Sequence, residues 1–89
     1  MNFLSHASEE FWELYDALPL KVQKQAQKQF ALFRNPPLHP SLRLKQTGLV
    51  WSVRISRSYR ALAYRKGNNF YWFWIGGHDE YDEILRRLT

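Results

Sequence analysis

The stretch Trp51-Ser52-Val53-Arg54-Ile55-Ser56-Arg57-Ser58-Tyr59-Arg60-Ala61-Leu62-Ala63-Tyr64 decides the fold. Trp51, Val53 and Ile55 alternate with Ser52, Arg54 and Ser56; Tyr59, Ala61 and Ala63 then alternate with Arg60, Leu62 and Tyr64. A period of two marks two strands, and the polar residues between them mark a turn. A turn centred on Arg57 sets Ile55 opposite Tyr59, Arg54 opposite Arg60, and Val53 opposite Ala61. Like charges placed directly opposite destabilise a bare sheet. They suit a face that binds phosphate, because the guanidinium fork matches phosphate oxygens.

The pattern extends outward on both sides. Gly67-Asn68-Asn69 is a turn, and Phe70 to Ile75 is apolar or aromatic at every position. Such a run predicts a central strand covered on both faces. A tight turn beginning at Gly67 sets Ala63 opposite Trp72 and Ala61 opposite Trp74. Small against large fills a sheet face well, so Trp51, Trp72 and Trp74 are expected in the core. The same register puts Tyr64, Tyr71 and Phe73 on the face of the arginine pair. There they are either stacking surfaces for single-stranded nucleic acid or covered by the last helix or a partner. Upstream, Leu42 and Leu44 alternate with Arg43 and Lys45, which predicts another strand before a turn at Gly48.

Before Pro40 the period is helical. Ser8 is a natural N-cap, with Glu9 and Glu10 in the favourable first turn. Phe11, Tyr15 and Leu18 recur at helical spacing. Pro19 breaks this helix and starts the next, whose stripe is Val22, Ala26, Phe30 and Phe33. Asn35-Pro36-Pro37 stops it. Asn2 to His6 reads as a short edge strand. Asp79 to Leu88 reads as a final helix, with Tyr81, Ile84, Leu85 and Leu88 on one side and Asp79 as its N-cap or first-turn acid. The expectation is an α+β domain over 1–89: an N-terminal helical hairpin packed on a small curved antiparallel β-sheet, then a short C-terminal helix.

Composition narrows the function. A chain of 89 residues favours one domain with a thin core. The absence of cysteine excludes disulfides, thiol chemistry and cysteine-based metal knuckles. No apolar run approaches a membrane span, and no signal peptide is expected, so the setting is cytoplasmic. The net charge of +5 hides a separation. All eight acids fall in two clusters, Glu9 to Asp16 and Asp79 to Glu83. From Ala17 to His78 there is no acid and there are eleven lysines or arginines. That middle predicts a single-sign patch for a polyanion or an acidic protein.

Few residues can carry chemistry. There is no glycine-rich phosphate loop, no nucleophile elbow and no clear carboxylate pair. His6, His39 and His78 follow no zinc spacing, so neither metal nor cofactor is expected. His78 ends the central strand after Gly76-Gly77, three residues before Tyr81. A histidine there, near an arginine pair, can exchange protons near neutral pH. That set suits RNA cleavage in which the substrate's own 2′-hydroxyl attacks the adjacent phosphate. Asp79 beside it is a candidate for orienting the ring, but adjacent side chains often point apart, and the N-cap or first-turn role is the favoured reading. The plainer reading makes His78 a helix cap and Tyr81 a core residue.

Trp51-Ser52-Val53-Arg54, Tyr59-Arg60-Ala61-Leu62-Ala63 and Trp72-Phe73-Trp74-Ile75-Gly76-Gly77-His78-Asp79-Glu80-Tyr81 together resemble the RelE/ParE superfamily of toxins from bacterial type II toxin–antitoxin modules. Leu18-Pro19, Ala26, Asn35-Pro36-Pro37, Leu42 and Lys45 fit the same order. The resemblance spans about Phe11 to Leu85. It implies a toxin of the RelE or HigB kind that cuts messenger RNA on the ribosome and thereby inhibits translation. On that implication Arg54, Arg60, His78 and Tyr81 are catalytic and Lys45 matches a basic position of the first inner strand; Arg43, Lys45, Arg57, Arg65 and Tyr64 of the acid-free centre are the residues expected to bind RNA. It also implies an acidic antitoxin partner that contacts the last helix. ParE-like members instead poison DNA gyrase, and a nuclease-dead binding domain is the third possibility.

Overall fold

The computed structural model describes residues 3–34 and 39–88. In chain order these form β1 (Leu4–Ala7), α1 (Glu9–Asp16), α2 (Leu20–Phe33), a 3-10 turn (Pro40–Leu42), β2 (Lys45–Thr47), β3 (Val50–Ser56), β4 (Tyr59–Lys66), β5 (Asn69–Gly77) and α3 (His78–Leu88). The proline-rich stop after α2 and the first residue of the expected edge strand, Asn2, lie outside the described residues.

Local chemistry explains the helical hairpin. Ser8 caps α1, its Oγ accepting the Phe11 N–H at 3.2 Å, and Glu9 and Glu10 occupy the first turn. Pro19 is the N-cap of α2, and its carbonyl accepts the N–H groups of Val22 and Gln23 at 2.9 and 3.0 Å. The Gln23 amide closes the corner by donating to the Tyr15 and Leu18 carbonyls at 3.0 and 3.2 Å. The buried residues of α2 are Val22, Ala26, Gln29 and Phe33. A glutamine therefore stands in the stripe where Phe30 was expected. Phe30 is half-buried beside it, edge-on to Trp72 with ring centroids 5.0 Å apart.

The sheet has five strands in the order β1-β5-β4-β3-β2. Strands β2 to β5 are antiparallel neighbours, as expected. Strand β1 runs parallel to β5, so the sheet is mixed. The expectation of an all-antiparallel sheet came from hairpin turns. No turn joins β1 to its neighbour: the chain leaves β1 through both helices and three strands before β5 forms.

The register matches the expectation at Arg54–Arg60, Val53–Ala61 and Ala63–Trp72. It departs from it twice. Ser56, not Ile55, pairs with Tyr59, because the β3–β4 ladder shifts between Arg54 and Ser56. A second shift leaves Phe73 as an extra residue, so Ala61 pairs with Ile75 and Leu62 with Trp74. One inserted residue reverses the side-chain alternation beyond it. Trp74 is therefore on the opposite face from Trp72. The expected strand at Leu42 to Lys45 is also displaced. Leu42 ends the 3-10 turn, Arg43 takes a left-handed φ of 49°, and pairing starts only at Lys45. The turn buries Leu42 against α2 and β3, and that packing overrides the short alternation.

Two apolar layers result. Between the helical hairpin and the sheet lie Phe11, Ala26, Phe33, Val53, Ala63, Phe70 and Trp72. On the other face, Leu62, Trp74 and Tyr81 are buried under α3, with Phe73, Ile84 and Leu85 packed around them. Trp51 is half-buried at the margin of the first layer.

Candidate functional site

The site is built where α3 meets the open part of its sheet face. Arg54 and Arg60 are directly paired across β3 and β4 and share that face. Arg60 in turn pairs with Gly76, two residues before His78. The His78 N–H donates to the Ser58 carbonyl at 2.8 Å, tying the start of α3 to the turn that leads into Arg60. The sheet thus fixes the histidine backbone beside the arginine pair.

Each arginine is held differently. The Arg60 guanidinium donates from Nη1 to the Ser56 and Tyr59 carbonyls at 3.0 and 3.3 Å. Burial is the main force holding it below the ordinary arginine range. The Arg54 and Arg43 charges push the same way, while Tyr81 and Asp82 push back. Arg60 stays charged, since a guanidinium does not deprotonate in proteins. The same interactions place Arg43, Arg54, Tyr81 and Asp82 within electrostatic reach of one guanidinium. Behind Arg54, the buried Gln29 amide donates to its carbonyl at 2.9 Å and to the Ser41 carbonyl at 3.3 Å. This bond satisfies a carbonyl at the ladder shift, where regular pairing fails.

His78 opens α3, and its Nδ1 lies 3.1 Å from Asp82 Oδ2, one helical turn on. Its ring is tilted against Tyr81, with centroids 5.5 Å apart. Tyr81 itself is buried, at 7% exposure. Its hydroxyl donates to Ser52 Oγ at 3.1 Å. The phenol is therefore packed under the helix rather than presented for base stacking. Asp79, the residue beside the histidine, stays in the first turn of α3 and is exposed.

The remaining expected residues divide. Lys45 pairs with Ser52, so it shares the face of the arginine pair and is exposed. Arg57 is exposed in the β3–β4 turn. Tyr64 shares that face, stacked on Phe73 at 4.6 Å and 45% exposed. Tyr71 lies beyond it, stacked on His6 at 4.9 Å. Arg65 is on the other face, against the expectation that it joins the RNA-facing set. Its guanidinium lies 4.8 Å from the Trp51 ring centroid and 5.1 Å from those of Phe3 and Phe70. Alternation along β4 puts it there.

Sequence reasoning missed Gln29, Ser52 and Asp82. Gln29 had a signal, being a polar residue on an apolar helical stripe. Asp82 had one too, since residues four apart share a helix face and adjacent ones do not. Ser52 had none. The three histidines lie on different elements, and among the described residues no three His, Asp or Glu side chains gather as metal ligands. No helix among the described residues is long and apolar enough to cross a membrane.

The architecture is thus a helical hairpin on one face of a basic sheet and a short helix on the other. The toxin of the RelB–RelE antitoxin–toxin complex from Methanococcus jannaschii superposes with a TM-score of 0.71 at 12% identity, over 89% of this chain and 96% of that one. A mutant E. coli toxin RelE in the free state gives 0.65 at 16% identity over the whole of both chains. YafQ from E. coli strain BL21(DE3) gives 0.62 at 8% identity, over 89% of this chain and 97% of that one. No curated protein matches the chain in sequence. The ParE-like toxin domain family does match, over residues 20–83, and the chain belongs to it. It is a toxin of the RelE/ParE superfamily, as its strand motifs suggested.

Proposed function

We propose that this toxin inhibits translation by cutting messenger RNA on the ribosome, in the cytoplasm. The observation that carries the reading is the opposed pair Arg54 and Arg60 beside His78, with no acid on the sheet to neutralise it. The reaction joins the 2′-oxygen to the adjacent phosphorus and breaks the bond from phosphorus to the 5′-oxygen. It leaves a 2′,3′-cyclic phosphate and a 5′-hydroxyl. The nucleophile comes from the substrate, so the protein has to orient the chain, move protons and stabilise the extra charge. Arg54 and Arg60 stabilise the phosphorane oxygens. His78 moves the proton. Lys45, Arg43 and Arg57 neutralise the neighbouring backbone, and Tyr64 offers a stacking surface at the face's far end.

The same charge supports an acidic antitoxin as the silencing partner. The basic face continues into exposed Tyr64 and Tyr71. An amphipathic acidic chain that folds on binding would cover both parts.

Induction in cells followed by mapping of transcript 5′ ends tests the reading. Discrete new ends within open reading frames, lost in Arg54→Ala and His78→Ala, are expected. Intact transcripts with a DNA-damage response would replace the reading with gyrase poisoning. Harmless expression would leave a binding domain only.

A further inference from the structure

We infer that Asp82 is a positioning residue that holds the His78 ring in its Nδ1–H form and leaves Nε2 as the proton acceptor. The inference rests on the reading of His78 as the proton-moving group in RNA cleavage.

The ring is constrained from three directions. Its backbone N–H is anchored on the Ser58 carbonyl at 2.8 Å. Its face is tilted against Tyr81, which is itself pinned to Ser52. Its Nδ1 stands 3.1 Å from Asp82 Oδ2. An ionised carboxylate only accepts hydrogen bonds, so in the neutral ring Nδ1 must carry the proton. Water favours the Nε2–H tautomer of a free histidine side chain, so the contact selects a form that would otherwise be the minor one. Both side chains are about half exposed, at 44% and 50%. An exposed pair four residues apart contributes little to stability. Its consequence therefore falls on the ring's orientation and tautomer.

The chemistry needs that tautomer. As the 2′-oxygen bonds to phosphorus, its proton passes to Nε2. The departing 5′-oxygen takes a proton from water, and the imidazolium later returns its own to solvent. A ring protonated at Nε2 has no lone pair there to accept. Asn in place of Asp can accept from Nδ1–H or donate to bare Nδ1, so it no longer selects the tautomer.

The test uses the whole chain labelled with 15N-histidine, at a pH where the ring is neutral. Nitrogen shifts of His78 are expected to report a protonated Nδ1 and a bare Nε2. Asp82→Asn is expected to give a mixture of tautomers. In single-turnover assays on ribosome-bound message, Asp82→Asn should slow cleavage roughly tenfold, with Asp82→Glu recovering most of it. Message binding and melting temperature should not move. The inference is overturned if Asp82→Asn leaves the tautomer unchanged. It is equally overturned if that variant cleaves normally while His78→Ala is inactive. Should His78→Ala cleave like the parent, the cleavage reading fails and the inference fails with it. The tautomer measurement tells these failures apart.

Discussion

Arg54 and Arg60 face each other across the β3–β4 ladder, and neither forms an ion pair among the described residues. Opposed like charges cost a sheet about 0.2–1 kcal/mol. Stability and function therefore pull apart at this pair. Arg54→Met keeps the alkyl stem and removes the charge. It should raise stability by about 0.5 kcal/mol in denaturant melts, and the gain should shrink as salt is added. The same variant should lose most message cleavage. A variant that loses stability along with cleavage would make the pair structural, not functional.

The bond from Tyr81 to Ser52 supplies the second prediction. The phenol is buried and its hydroxyl has a partner, so removing it breaks a buried hydrogen bond. Tyr81→Phe should cost roughly 0.5–1.5 kcal/mol. Ser52→Ala should cost a similar amount, and the double variant should cost less than the sum, as a cycle through one shared bond requires. If Tyr81→Phe instead leaves the melt unchanged and abolishes cleavage, the phenol takes part in the chemistry directly.

How much of this was legible follows from what each signal measures. Ser8, Pro19, Gly67 and the alternation from Trp51 to Ala63 are local signals with local causes, and the structure follows them. The arginine pair followed from register alone. The parallel edge strand was not legible, because strand direction depends on a connection that passes through two helices. Trp74 was misplaced for a related reason. An unbroken run from Phe70 to Ile75 has no polar residue to show where the alternation slips, so the extra Phe73 left no mark. Within the site, Arg54, Arg60 and His78 were visible as residue types in sequence. Asp82 was legible as the residue one helical turn beyond His78 and was passed over for its neighbour Asp79; Ser52 became visible only when α3 lay down on the sheet.

Gly76 and Trp74 give the third prediction. A Cβ on Gly76 would lie 2.6 Å from Trp74 Cζ2, inside any tolerable contact. The indole lies across the glycine on the α3 side. Gly76→Ala must push the ring outward and strain α3, at a cost of about 1–3 kcal/mol. Trp74→Ala empties the second layer instead and should cost roughly 3–5 kcal/mol. In the pair combined, the alanine at 76 should lose much of its penalty, because the ring it strikes is gone. Additive costs in that double variant would show that the clash is not what makes glycine necessary.

Arg65 completes the set, because its position separates charge from function. It is an exposed cation in the acid-free centre, like Arg57, yet its guanidinium lies over Phe3, Trp51 and Phe70 on the helical-hairpin face. Its Nε also donates to the Gly67 carbonyl at 2.8 Å, tying the charge to the β4–β5 turn. Cation–π contacts at such partly open sites are worth about 0.5–1 kcal/mol, and the stem adds packing. Arg65→Ala should therefore lower stability by about 1–2 kcal/mol. It should leave message cleavage and its salt dependence near the parent values. Arg57→Ala should do the reverse, sparing stability and weakening RNA binding, with a shallower salt slope by about one ion. Both variants remove one positive charge from the acid-free centre, so equal losses of RNA affinity would mean that total charge, rather than where the cation sits, recruits the message.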